Sequence, residues 1–560
     1  MLEINRRITT EVLVVGSGLS GIKATKELAS MNRDVLMVTK TKLASGSSFY
    51  PLKASLGTQV TKNEDDKHVF LEDIEDLSRG MHNEDLAEVY VNDIPERVKE
   101  YKDIGVQAKK LEGERKACFA NHARDIYLLS DWDQIRKNVT AIFNQYDNLD
   151  VMQKTVVVSL IKKGNQMAGA ILLDDKNEFV LVECQAVILA SGGFGSIYKH
   201  NLNPADVDGS GHMLALEAGA SLVNMEFIQF IPGITTPRYK TLFGEHTLMY
   251  CRDIIDQHGE SLLKPYLPED VSKKECLEIR STHGPFTHSL ESKYFDIAMM
   301  ENIIKTKDEN GFTLLYDDDL YDNEEEFYKV YLDWLKEKNV HLTEQEVKIA
   351  PFAHASNGGV FIDENGRTGI AGLYAIGELS SNIEGANRLG GNSTGACMVF
   401  GKRSALDCEQ YLQSADVYKI SEAEGEQHLA RLSKSMDSGS SAENQLSANK
   451  MIDQIKEIMW YHGNVVRSGE RLEEALEQIS ELESGFKFAE LLEHKQSRKL
   501  AIKGRNFIKM ARILLQSMQE RKESRGAHYR EDYPVEDSSY DKRLFISKLN
   551  ETTSYTFLDQ

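Results

Sequence analysis

The sequence predicts an α/β fold in three parts: a parallel-sheet domain of Rossmann-like type, an α+β segment inserted into it as a cap, and a helical C-terminal domain. Three observations lead there. An uninterrupted apolar run, Val12-Leu13-Val14-Val15, enters a glycine turn, Gly16-Ser17-Gly18-Leu19-Ser20-Gly21. A run apolar at every position suits a strand buried on both faces of a parallel sheet. Glycine-rich sequence resumes at Ala350 after a charged, irregular stretch that begins near Ile231, and beyond Ala415 the pattern turns strongly helical. The expected domains are therefore 1–230 with 349–414, then 231–348 as the insertion, and 415–560 as the helical part.

Residues 20–30 favour helix and 34–38 a second strand. Strand, glycine turn, helix and strand thus fall within about 30 residues, as in the dinucleotide-binding βαβ unit. A polar, helix-rich stretch covers 67–146, and strand-like runs follow at 151–160, 168–173 and 179–184. Turns at Lys163-Gly164-Asn165 and Asp174-Asp175-Lys176-Asn177 separate them. Ala186-Val187-Ile188-Leu189-Ala190 reads as another buried strand, ending in Ser191-Gly192-Gly193. Helices are expected at 470–483 and 490–522, with a loop at Asp437-Ser438-Gly439-Ser440-Ser441. The last 25 or so residues, rich in Tyr, Asp and Ser, are expected to be irregular.

The 560 residues carry 66 basic and 88 acidic side chains, a net charge of −22. Such an acidic surface disfavours nucleic acid or an anionic membrane as general partners. An anionic small molecule remains compatible, because a local Arg/His cluster reverses the sign inside a cleft. The N-terminus lacks the apolar core and cleavage site of a signal peptide, and no apolar run is long enough to span a bilayer. The six cysteines are scattered without CxxC or ferredoxin-like spacing. They predict reduced thiols in a cytoplasmic protein and no iron–sulfur cluster held by this chain.

Two glycine clusters carry the chemistry. In Gly16-Ser17-Gly18-Leu19-Ser20-Gly21 the first glycine makes the turn and the second admits a pyrophosphate. The third brings helix and strand together, and the phosphate meets the positive end of the helix. The strand that follows ends in Thr39-Lys40 instead of the acidic residue that usually grips a ribose. The second cluster, at 350–400, sets His354, Glu378 and Arg388 among closely spaced glycines. Glycine lets the backbone approach a bulky planar ligand, and Arg and His suit an anionic substrate. Together the clusters point to a flavin and a carboxylate.

On these motifs the chain resembles the flavoprotein subunit of the succinate dehydrogenase/fumarate reductase family, which includes L-aspartate oxidase. Members of that family commonly end the second strand in Ser-Lys and bind FAD. The matches run in order: ASGGFG from Ala190, MEFIQF from Met225, HASNGG from His354, GE at Gly377-Glu378 and GANR from Gly385. In the tail, MWYHGNVVRSGERLEEAL and RKESRGAHYREDYP match as well. The resemblance implies an FAD site formed by Gly16, Ser17, Gly18, Ser20, Gly21, Thr39, Lys40, Ser47, Ser48, Lys53, Val157, Ala190, Ser191, Gly192, Glu378, Asn392 and Ser393. Glu378 is read as a ribityl contact. His354 and Arg388 correspond to the substrate-binding His and Arg, with an ion pair to Glu384 or Glu378 as the other reading of Arg388.

Several positions depart from the family. Where it continues MEFxQF with a substrate-binding His, this chain has Ile231-Pro232-Gly233. The proton-shuttling Arg falls at Lys293 in the register Leu290-Glu291-Ser292-Lys293-Tyr294-Phe295-Asp296-Ile297-Ala298, with Tyr294, His283, His288 and Arg280 as nearby alternatives. Glu245 corresponds to the acidic residue of the cap. The His that attaches FAD covalently falls at Ser48, so non-covalent FAD is expected. The usual Gln-Gly-Gly beside the ring reads Lys53-Ala54-Ser55, and Lys53 either places a charge at the ring or is solvated. The Asp-Gly of the GDG loop reads Ser210-Gly211.

The implied activity is hydride transfer between flavin and a carboxylate-bearing substrate, by reduction of C=C or the reverse, with fumarate and succinate themselves excluded. Amine oxidation of the L-aspartate oxidase kind, and service as the flavoprotein subunit beside an iron–sulfur or other electron-transfer partner, are the alternatives.

Overall fold

The computed structural model describes every residue except 1, 52, 54, 381–382, 437–446, 550–551 and 560. The expected loop at Asp437–Ser441 and the position Ala54 lie outside the described residues.

A five-stranded parallel sheet forms the centre. Its strand order is Leu373–Ala375, Ala186–Leu189, Val12–Val15, Val35–Val38 and Leu149–Met152. All four residues of Val12–Val15, Val35–Val38 and Ala186–Leu189 are buried, as the uninterrupted apolar runs require. Helix Leu19–Ser30 follows the glycine turn and packs against helix Asn392–Leu412. The two cross closely because Gly401 has no side chain: a Cβ there would lie 3.0 Å from Ser20 O and the Lys23 side chain. That crossing joins the two glycine-rich halves of the sequence into one body.

Two antiparallel sheets shape the site. One runs Thr241–Leu242, Ile228–Thr236, Lys348–Ser356, Phe312–Tyr316 and Cys251–Ile255. Its central pairing places Ile231 opposite Phe352 and Phe230 opposite Ala353. The expected domain junctions at 230/231 and 348/349 fall within these two paired strands. The other sheet joins Leu56–Val60, Ala123–Leu129 and Ala108–Lys110, with Arg115–Lys116 on Ala123–Leu129.

Three local expectations need correction. The run at 151–160 is two strands, Leu149–Met152 and Val156–Lys163, which belong to different sheets. The chain turns between them at Lys154, whose φ is +54°, so continuous apolarity here conceals a corner. The helix expected over 490–522 is divided into Phe488–Glu493 and Arg498–Glu520. The tail forms a hairpin, Arg543–Leu549 with Thr552–Leu558, and its first strand also pairs with Leu222–Val223. Exposure alternates along Thr552–Leu558, the period-two signature of a half-solvated strand, which the polar composition obscures.

Candidate active site

The site grows from the glycine turn. Gly16 has φ +117°, and a Cβ there would lie 2.3 Å from Ala190 O. A Cβ on Gly21 would meet Gly16 O at 2.1 Å, so helix and strand can approach only with glycine at both positions. Gly18 differs: a Cβ there would make only ordinary contacts, with Ser48 Oγ at 3.6 Å and Ser45 O at 4.0 Å, and Gly18 lines the cleft. That helix end has no side-chain cap, and Leu19 N donates to Ser48 Oγ at 3.2 Å. The positive helix end thus faces the cleft, as a pyrophosphate requires.

Around this cradle Ser17 Oγ meets Thr39 Oγ1 at 3.1 Å and donates to Lys42 O at 3.1 Å. Lys40 Nζ is held by Asp208 at 2.5 Å and Ser210 Oγ at 2.6 Å. A carboxylate therefore does stand near the lost Asp of the GDG loop, two residues before Ser210. Ser47 Oγ donates to Asn203 Oδ1 at 2.9 Å, and Asn203 Nδ2 donates to His354 O at 2.7 Å. Asn203 thereby links the cofactor wall to the strand that carries His354. Ser191 Oγ is buried in the lining without a hydrogen-bond partner.

One cleft is lined by Gly16, Ser17, Gly18, Ser20, Thr39, Lys40, Ser47, Ser48, Lys53, Val157, Ala190, Ser191, Gly192, Glu378 and Ser393. It continues to His354, Arg388, Glu245 and Ile231. Gly21 and Asn392 lie behind it: Gly21 packs on Gly16, and Asn392 Oδ1 accepts from Gln59 Nε2 at 3.0 Å. The glycine cradle and the orphaned Ser191 hydroxyl suit FAD.

At the inner end, Arg388 Nε donates to Gln229 Oε1 at 3.1 Å, and Gln229 Nε2 donates to Asn387 Oδ1 at 2.8 Å. Asn387 Nδ2 is itself tied to Phe286 O at 3.0 Å. This chain of amides orients the guanidinium. His354 Nδ1 has no partner, and burial, with Lys53 and Arg388 nearby, pushes its pKa well below the usual value. The imidazole is neutral at neutral pH. Burial lowers Lys53 to about 8, with Glu378 opposing and Arg388 reinforcing that shift. Glu378 accepts from Ser356 N at 3.0 Å. Burial raises Glu245.

Lys293 stands apart from this group. It opens helix Lys293–Thr306, with Nζ 5.3 Å from the Tyr294 ring centroid, and does not line the cleft. The cation behind this wall is Arg280, fully buried and bound to Asp296 at 2.8 Å, to Gly284 O at 2.7 Å and to His283 O. Arg280, one of the alternatives offered by the sequence, is delivered from the preceding helix, Lys273–Arg280. His283 is occupied by Pro285 O and Ser292 Oγ, both at 2.8 Å. Ile231 is buried and apolar in the lining, while Gly233 turns toward the Phe352 ring.

Sequence reading did not single out Gln229, Asn203 or Cys118. Gln229 was visible as the Q of MEFIQF. Asn203 and Cys118 carried no local signal; Cys118 Sγ accepts from Gly284 N at 2.9 Å, and burial pushes its thiol up to about 12.

Fold and cleft define an FAD-dependent oxidoreductase. A family described as FAD binding domain matches residues 11–394, and one described as fumarate reductase flavoprotein C-term matches 452–557. The chain belongs to the fumarate reductase/succinate dehydrogenase flavoprotein family. It is 27% identical over 572 residues to a subunit of the fumarate reductase (CoM/CoB) of Methanothermobacter marburgensis, covering 96% of this chain and 97% of that one. It is 26% identical over 547 residues to L-aspartate oxidase 1 of Ralstonia nicotianae, covering 94% and 95%. Among solved structures, E. coli quinol fumarate reductase aligns with a TM-score of 0.80 at 20% identity, over 99% of this chain and 97% of that one. Among the described residues, no helix is long and apolar enough to cross a membrane.

Proposed function

We propose that this flavoprotein transfers hydride between flavin and a carbon near the carboxylate of an organic acid, reducing C=C or running the reverse, and that fumarate and succinate are not its substrates. The observation that carries this is an amide-braced Arg388 in one cleft with a buried, apolar Ile231 where a second polar ligand would be needed. Bound FAD supplies the hydride donor or acceptor. Arg388 binds the carboxylate as a fixed fork. Neutral His354 donates a hydrogen bond to the same group. Lys53 adds positive charge to the cleft, and Glu245, whose pKa burial raises, supplies the proton. Reduction of the double bond consumes one hydride and one proton, two electrons in all.

An external donor must supply those electrons. A separate iron–sulfur or other electron-transfer protein is the reading favoured by a relative named as one component of a reductase. Serine at position 48 favours FAD held without a covalent bond, and six free thiols favour a reducing, cytoplasmic setting.

The test is anaerobic: the reduced holoenzyme is mixed with unsaturated acids and flavin reoxidation is followed. A monocarboxylate is expected to reoxidise it, and Arg388→Ala to slow this at least about a hundredfold while retaining FAD. Efficient reoxidation by fumarate, or an unaffected Arg388→Ala enzyme, would refute the reading.

A further inference from the structure

The substrate space does not close at the flavin cleft. A second cavity of about 1070 Å³ adjoins it, and Cys118, Leu242, Glu245 and Gly390 line both. This outer chamber is bounded by the sheet around Ala123–Leu129 on one side and by helix Glu326–Glu337 on the other. Its wall carries Phe119, Leu128, Phe243 and Phe327, and charge gathers at the rim in Glu112, Glu114, Arg115 and Lys116. The rim charges are partly satisfied by ion pairs: Arg115 pairs with Glu325 at 3.6 Å and Lys62 with Glu114 at 2.5 Å.

The partition between the spaces is specific. Gly390 N donates to Cys118 O at 2.9 Å, and a Cβ on Gly390 would lie 2.9 Å from Cys118 Cβ. The glycine loop of Arg388 is therefore anchored directly on the floor of the outer chamber. On the opposite wall Leu242 and Glu245 face both spaces. The polar end of the cleft and the aromatic chamber meet at this neck.

We infer that the substrate is a carboxylate bearing a long acyl or aryl group, whose acid end lies at Arg388 and whose apolar body passes Cys118 and Leu242 into the outer chamber. The inference rests on the carboxylate-binding half of the reading above. Apolar Ile231 offers the distal carbon no polar partner, and the aromatic wall beyond the neck offers burial. Each methylene moved from water into such a wall strengthens binding about three- to fourfold. A short acid leaves that wall wet and forgoes the gain.

The test needs no turnover. Oxidised FAD holoenzyme is titrated with saturated acids from butanoate to decanoate, and with 3-phenylpropanoate, while the flavin absorbance difference is read. Half-saturation is expected to fall about threefold per methylene, with 3-phenylpropanoate far tighter than butanoate. Ala117→Trp narrows the chamber, and Thr282→Trp does so from an exposed position should the first variant fail to fold. Either variant is expected to weaken decanoate at least about tenfold and butanoate by less than about twofold. Equal half-saturation for butanoate and decanoate overturns the inference, as does an unchanged decanoate affinity in the narrowed variants. If length dependence appears but no unsaturated acid reoxidises reduced flavin, the redox reading fails and the chamber stands. If unsaturated acids react without length dependence, the chamber alone fails.

Discussion

Arg388 depends on a neighbour as much as on its own charge. Gln229 accepts from its Nε and is locked in turn by Asn387, so the orientation of the guanidinium is fixed by the protein itself. Gln229→Leu removes the acceptor and is expected to raise the half-saturating acid concentration about tenfold, a loss typical of one hydrogen bond to a charged group. FAD content should not change, and the split between KM and kcat measured by stopped flow reads the effect. Lys53 is the other sensitive residue. Its folded pKa of about 8 lies below the ordinary lysine value of 10.5, so between those values the folded chain binds fewer protons than the unfolded one. Apoprotein stability attributable to Lys53 therefore rises with pH across that window and is lowest below it. Lys53→Met is expected to stabilise the apoprotein at pH 7 by about 1–3 kcal/mol and to lower the flavin midpoint potential. Thermal melts and potentiometry check the two halves separately. In the native enzyme, reoxidation by acids is expected to slow above pH 8 as Lys53 loses its proton.

The glycine turn and the helix it opens stand or fall together. The turn was legible because its demands are local: Gly16 and Gly21 each answer to a backbone atom a few residues away or on an adjoining strand. Gly21→Ala drives a methyl into Gly16 O, 2.1 Å away, and must part helix Leu19–Ser30 from its strand. Sub-stoichiometric FAD on purification, measured by absorbance ratio, is the expected outcome; full FAD occupancy would show that the cradle tolerates the methyl. The elements around 151–160 and 490–522 were misread for the complementary reason. Apolar periodicity reports burial and is silent on a corner at Lys154 or a break between Glu493 and Arg498.

Across the molecule as a whole, the C-terminal hairpin ties distant parts together. Leu544 and Ile546 are fully buried, and Ile546 pairs with Leu222. Just before the hairpin, buried Arg521 bonds Glu226 at 2.6 Å, Glu523 at 2.8 Å and Lys542 O at 2.9 Å. Glu226 sits three residues from Gln229, so the tail buttresses the strand that aims Arg388. Deleting residues 543–560 is expected to cost about 3–6 kcal/mol from the two aliphatic side chains alone, seen as a lower Tm. A weaker response of the flavin to added acid would show that the buttress reaches the site.

The cofactor half of this protein could be read from the chain alone. A strand, a glycine turn and a helix are contiguous, and their steric needs are written in consecutive residues. That His354 and Arg388 share the cleft was equally readable, because both lie in compact glycine motifs. Of the residues beyond them, the family resemblance named Ile231, Glu245 and, as an alternative, Arg280, while Cys118 and Gln229 emerged only on folding. Cys118, Gln229, Ile231, Glu245 and Arg280 are scattered over more than 160 positions of the chain, and no local pattern relates them. Lys293 matched a register and still stands outside the cleft, because helix Lys273–Arg280 delivers Arg280 to that wall instead. What sets Gln229 and Ile231 beside the strand of His354 is the pairing of Ile228–Thr236 with Lys348–Ser356, strands too far apart in the chain for any local pattern to join.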